Sequence, residues 1–90
     1  MSKLAIITGA DGGMGTEITR AVAQAGYHVI MLCYTLFKGE ERKNQLILET
    51  GNKEIEVRQV DLSSMASVTN IAEDLLGRGK HIDLLMNNAG

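Results

Sequence analysis

Between Thr8 and Gly15 the chain reads Thr-Gly-Ala-Asp-Gly-Gly-Met-Gly. Gly9, Gly12, Gly13 and Gly15 carry no acid, base or nucleophile, so any chemistry they do belongs to the backbone. A glycine-rich loop that opens a helix can hold a phosphate. The N–H groups of the first helical turn have no partner inside the helix, and the positive end of the helix dipole lies with them. Glycine serves in three ways: it permits a tight turn, lets the backbone approach a pyrophosphate closely, and lets the helix pack tightly on the preceding strand. The ligand that suits such a loop is the diphosphate bridge of a dinucleotide. A mononucleotide loop fits less well, because no Gly-Lys-Ser/Thr follows to supply the lysine and the magnesium-binding hydroxyl. Glycines around Asp11-Gly12 can equally make a turn that binds nothing, so the flanking elements decide.

Leu4 with Ala5-Ile6-Ile7, ending at Thr8-Gly9, is a short apolar run of the kind buried on both faces of a sheet. After the loop Met14, Ile18, Ala21, Val22 and Ala25 recur at three and four residues. That spacing predicts a helix with these residues inward and Gly26 as its left-handed terminator. Tyr27 to Cys33 reads as a second buried strand, and a charged helix follows from about Gly39 to Thr50, with Leu46 and Ile47 inward and Gly51 as its stop. A third strand runs from Ile55 to Val60. Its alternation with Glu54, Glu56 and Arg58 suggests a wetter face or a place near the sheet edge. Asp61, Ser63 and Ser64 can cap a third helix with Val68, Ile71, Ala72, Leu75 and Leu76 on one stripe and Gly77 at its end; Asp74 and Arg78 are spaced to pair on it. Ile82 to Met86 is the fourth strand. Four buried-type strands alternating with three amphipathic helices predict one α/β domain over residues 1–90, with right-handed crossovers and a parallel sheet.

These residues resemble the short-chain dehydrogenase/reductase family. Gly9, Gly13 and Gly15 match the family's Thr-Gly-x-x-x-Gly-x-Gly rather than the Gly-x-Gly-x-x-Gly of other dinucleotide folds. Asp61-Leu62 follows the third strand, and Asn87-Asn88-Ala89-Gly90 follows the fourth behind Ile82-Asp83-Leu84-Leu85, so three motifs stand in register along the chain. The resemblance implies the cofactor-binding half of a Rossmann-type doubly wound sheet, strand order 3-2-1-4, holding NAD or NADP. Thr8, Gly9, Asp11, Gly12, Gly13, Met14 and Gly15 would surround the pyrophosphate, with Tyr34 at the adenosine end. Asp61 would accept a hydrogen bond from the adenine amino group while Leu62 offers backbone contact to the ring. Asn88, Ala89 and Gly90 would lie against the ribose and pyrophosphate, and Asn87 would be chiefly a structural amide. Taken alone, Asp61 with Ser63 and Ser64 is equally a helix cap.

The family transfers hydride between a nicotinamide and an alcohol or carbonyl. Its catalytic serine, tyrosine and lysine belong to a region this chain does not contain, so no catalytic residue is assigned and the chain alone is expected to be inactive. A non-catalytic nucleotide-binding module and an assembly-dependent remnant are the alternatives. Tyr34-Thr35-Leu36-Phe37-Lys38 does spell the family's Tyr-x-x-x-Lys. It follows the second strand, on the adenosine side, and reads as a decoy. Where a carboxylate for the ribose 2′-hydroxyl or an arginine for a 2′-phosphate would stand, the chain has Cys33 and Tyr34; with Lys38 and Arg42 close downstream, NADP is slightly favoured. Against it, Gly12 stands where some NADP-binding relatives carry a basic residue.

Composition bounds these readings. Ninety residues, 44% apolar, with nine Lys plus Arg against eleven Asp plus Glu, make one domain of net charge −2, without a basic face for nucleic acid. The apolar run Val29 to Cys33 is far short of the ~20 residues a membrane helix needs. The start of the chain lacks the apolar segment of a signal peptide, so a cytoplasmic setting is the default. Cys33, the one cysteine, agrees with a reducing compartment and reads as a small core hydrophobe. His28 and His81 begin strands far apart in sequence, and no metal site is expected. An unpaired fourth strand would leave an apolar edge through which copies of the chain self-associate.

Overall fold

The computed structural model describes residues 3–10, 12–59, 73–74 and 82–87. The elements are β1 (Leu4–Thr8), α1 (Gly13–Gln24), β2 (His28–Cys33), α2 (Leu36–Thr50), β3 (Ile55–Gln59) and β4 (Leu84–Asn87). All pairings are parallel and the sheet order is β3-β2-β1-β4, as the motifs implied. Of the segment read as a third helix only Glu73 and Asp74 are described, and both are helical. Arg78, expected to pair with Asp74, lies outside the described residues; Asp74 stands 3.8 Å from Arg58 on β3.

Burial follows position in the sheet. Every residue of β1, flanked on both sides, is buried, as are Val29 to Cys33 of β2. At the edge, β3 alternates from buried Ile55 to exposed Glu56, the wetter strand expected of its sequence. Because successive side chains point to opposite faces, the core divides. Ile7, Val29, Met31 and Cys33 pack with Ala23 of α1 and Leu46 of α2, while Leu4, Ile6, Ile30 and Leu32 pack on the other face with Ile82. Ile47 also packs against the helix-side cluster, as expected.

The inward face of α1 is not the predicted stripe. Met14, Ala21 and Ala25 are exposed, and the buried residues are Gly15, Thr16, Thr19 and Ala23, with Ile18 and Val22 at the margin. Small residues win here because they let the helix axis approach the sheet. The threonines are admitted because their hydroxyls bond back along the helix: Thr19 Oγ1 donates to Gly15 O at 2.8 Å, and Thr16 Oγ1 lies 2.7 Å from Gly12 O and 3.1 Å from Ala10 O. Helix α2 begins at Leu36, three residues before the expected Gly39. Gly39 is instead a contact point, where an added Cβ would stand 2.8 Å from both Cys33 Sγ and Val57 Cγ1.

Both helices end as their glycines foretold, Gly26 at φ 91° and Gly51 at φ 74°. Asn52 then joins the ends. Its Nδ2 donates to Ala23 O at 3.0 Å and Tyr27 O at 2.7 Å, and its Oδ1 accepts from Glu54 N at 2.8 Å. On the outer surface Arg20 bridges Glu17 and Glu49, linking α1 to α2. The hydrogen bonds to Glu17 and then Glu49 raise the guanidinium pKa above its ordinary value, although an exposed network of this kind adds little stability. At the start of β4 the carboxylate of Asp83 accepts from Leu4 N at 2.8 Å, and the Asp83 N–H donates to Leu4 O at 2.9 Å. A side chain occupies a ladder position there, and the strand proper begins at Leu84, later than the expected Ile82.

Candidate cofactor-binding site

Because the four strands are parallel, Thr8, Cys33, Gln59 and Asn87 share one rim of the sheet. The order runs outward from β1 through β2 to β3, whereas β4 returns to the other side of β1. Helices leave such a junction in opposite directions, and the crevice between them is where open parallel sheets take ligands. Thr8, buried at this junction, donates from Oγ1 to Met86 O at 3.3 Å and fastens β1 to β4.

The chain leaves β1 through Gly9 at φ 63°, a backbone region that L side chains disfavour. Ala10 is buried and its N–H donates to Leu32 O at 3.4 Å; the Gly12 N–H closes the turn on Gly9 O at 3.2 Å. Gly12 is the N-cap of α1 and offers no side chain to cap it, and the first turn contains no acidic residue. The first amide bonded within the helix is Thr16, to Gly12 O at 2.9 Å. The N–H groups of Gly13, Met14 and Gly15 therefore have no acceptor within the helix. The remaining glycines divide their work. A Cβ on Gly15 would lie 2.1 Å from Gly9 O and 2.8 Å from Ala10 Cα, so this position seats the helix on the turn; a Cβ on Gly13 would meet nothing within 4 Å, so this position leaves space.

That space belongs to a cleft of about 460 Å³. Gly12 and Gly13 form one wall, and Thr35, Phe37, Lys38, Glu41 and Arg42, at the start of α2, form the other. Uncapped amides, room beside them and cations opposite fit a phosphate-bearing ligand. Met14 and Tyr34 are exposed near this rim, and the Tyr34 carbonyl accepts from Gln59 Nε2 at 3.2 Å. Lys38 lines the cleft whereas Tyr34 does not, and both follow β2. Asp11, Asp61, Leu62, Asn88, Ala89 and Gly90 lie outside the described residues. Sequence reasoning did not name Thr35, Phe37 or Glu41 for the site. The available signal was spacing: once the helix starts at Leu36, residues 38, 41 and 42 share its inner side.

A second depression, of about 470 Å³, opens at the opposite end of the strands between the helix C-termini, beside Gly26 and Asn52. It is lined where the dipoles are negative and where Asn52 already meets the carbonyls, so it is the wrong end for an anion. Among the described residues there is no cluster of potential metal ligands, and no helix is long and apolar enough to cross a membrane.

A parallel sheet whose strand order reverses beside a glycine-lined, uncapped helix N-terminus defines a Rossmann-type α/β domain, a class built to hold dinucleotides. More particularly, the chain belongs to the short-chain dehydrogenase family, whose sequence model, described as short chain dehydrogenase, matches residues 3–90. It is 41% identical over 88 residues to retinol dehydrogenase 11 of Mus musculus, covering 98% of this chain and 28% of that protein. It is 38% identical to human retinol dehydrogenase 12 over the same shares of each. Among solved structures, menthone neomenthol reductase from Mentha piperita superimposes with a TM-score of 0.85 at 31% identity, over 100% of this chain and 32% of that one. A metagenomic short-chain oxidoreductase in complex with NADP gives 0.86 at 27% identity, over 100% and 40%. The chain thus spans under a third of the length of the curated relatives named here.

Proposed function

We propose that this chain supplies the NAD(P)-binding part of an oxidoreductase that exchanges hydride between a nicotinamide and an alcohol or carbonyl compound. The observation that carries this reading is the uncapped start of α1 with open space at Gly13. The bound nicotinamide would supply the hydride acceptor or donor. The chain's own part is to bind and orient. Gly9, Gly12, Gly13, Met14 and Gly15, with Thr8 and Asp11, would hold the pyrophosphate, and Tyr34, Asp61 and Leu62 the adenosine. Asn88, Ala89 and Gly90 would line the ribose side. The acid or base that moves the proton would come from residues outside this chain. The names of the retinol dehydrogenases support an alcohol as substrate, since retinol is one. NADP is favoured over NAD because neither buried Cys33 nor Tyr34 brings a carboxylate to the end of β2. Buried Cys33 agrees with a reducing, cytoplasmic setting.

The test is a calorimetric titration of the purified chain with NADPH and NADH. Saturable binding without turnover is expected. Absence of binding by either at millimolar concentration overturns the reading, and turnover by the chain alone overturns the assignment of catalysis elsewhere.

The same reading includes self-association. Among the described strands β4 pairs only with β1, and Leu85 on it is 53% exposed. An apolar strand edge invites pairing with another copy. Sedimentation of the 90-residue chain at tens of micromolar is expected to give dimers or larger species, and a single monomeric boundary would refute the expectation.

A further inference from the structure

Met14 fills the variable position between Gly13 and Gly15 and puts a thioether into a turn that otherwise works through its backbone. It is the second residue of α1 and is 71% exposed. The other described methionines are placed for packing: Met31 is fully buried within β2, and Met86 packs half-buried against the same helix-side core. Met1 and Met65 lie outside the described residues. Met14 belongs to neither core cluster, so packing does not account for it. What it has is an accessible sulfur beside unsatisfied donors. The N–H groups of Gly13, Met14 and Gly15 have no acceptor within the helix, no side chain caps them, and no acidic residue stands in the first turn. An oxidant the size of hydrogen peroxide reaches this side chain without any opening of the fold.

We propose that Met14 is a site of reversible oxidation whose sulfoxide weakens the binding of both dinucleotides. The inference rests on the dinucleotide reading above. Hydrogen peroxide is the oxidant. The thioether sulfur attacks one peroxide oxygen, the O–O bond breaks as an S–O bond forms, and the second oxygen takes the proton from the first and leaves as water. Sulfur loses two electrons and the peroxide gains them. A thiol-dependent sulfoxide reductase reverses the step, releasing the oxygen as water while two thiols become a disulfide. The sulfoxide oxygen is the negative end of a strong dipole and accepts hydrogen bonds. On the first turn of α1 it adds partial negative charge where the helix dipole attracts the pyrophosphate, so it competes with the ligand for the free amides and repels it. The fold is spared, because the group is exposed and its charge suits that end of the helix; oxidation of buried Met31 would instead put a polar group into the core. Both cofactors carry the diphosphate, so both are affected alike. A bound cofactor in turn covers Met14 and shields it.

The experiment treats the whole chain with graded hydrogen peroxide, follows each methionine by peptide mass spectrometry, and measures NADPH and NADH affinity by calorimetry before and after. Met14 is expected to oxidise at least about 10-fold faster than Met31 and Met86, and saturating NADPH should slow it by about fivefold. Once Met14 is oxidised, both affinities should fall by about 10-fold while the urea midpoint stays where it was. Methionine sulfoxide reductases, one for each sulfoxide epimer, should restore them. The Met14→Leu chain lacks only this sulfur; whatever its own affinity, peroxide should not change it, which separates Met14 from Met1 and Met65. Oxidation of Met14 no faster than that of Met31, an affinity that survives full oxidation of Met14, or the same loss in the Met14→Leu chain overturns this inference and leaves the dinucleotide reading standing. An untreated chain that binds neither cofactor overturns both.

Discussion

Alanine at Gly15 is expected to lower the unfolding free energy by about 3 kcal/mol or more, read from the midpoint of urea denaturation. The added methyl would sit 2.1 Å from the Gly9 carbonyl oxygen and 2.8 Å from Ala10 Cα, and both neighbours are backbone. No rotamer relieves such an overlap, so either α1 lifts away from β1 or the turn reopens. Alanine's better helix propensity returns at most about 1 kcal/mol. Native stabilities of about 0.05–0.15 kcal/mol per residue leave a chain of 90 residues little margin for the remainder. Alanine at Gly13 is the control, since nothing lies within 4 Å of its Cβ, and it should be neutral or slightly stabilising. Equal midpoints for the two variants would mean that the helix is not seated on the turn.

Glutamate at Gly13 should separate folding from binding with opposite signs. The position is open and is the first residue of α1, where a carboxylate favours the helix dipole by about 0.3–1 kcal/mol and replaces a poor helix former. The unfolding midpoint should hold or rise. The same carboxylate would occupy the place of an anionic ligand and repel it, so affinity for NADPH and NADH should fall at least about 100-fold. Glutamine there tests size without charge and should cost less. Undiminished binding by the glutamate variant would show that the pyrophosphate does not lie at the head of α1.

Strand positions, parallel pairing and helix ends were legible because each rests on a local rule: continuous apolar runs, helices between them, Gly26 and Gly51 at the stops. The glycine turn was legible for the same reason, since Gly9, Gly13 and Gly15 had a position between a strand and a helix as well as a type. The face of α1 was not. Thr16 and Thr19 count as polar in any periodic reading, and only backbone acceptors at Gly12 and Gly15 make them good interior residues. Nor was the start of α2, because Leu36 and Phe37 remain 43% and 76% exposed and so add nothing to an inward stripe. The wall formed by Lys38, Glu41 and Arg42 needed the third dimension. Their distance from Gly12 along the chain holds no hint that a helix, a turn and a β-strand bring them to face it.

The contact between Leu4 and Asp83 spans 79 residues, and β1 sits between β2 and β4. At roughly 5–20 residues per second, a ribosome needs about 4 to 16 s to deliver the partner for that side. Throughout that interval the nascent chain carries its most apolar hairpin-free ladder open on one flank. Chaperone capture during synthesis should therefore concentrate on Leu4 to Thr8 and fade once Leu84 to Asn87 has paired beside it.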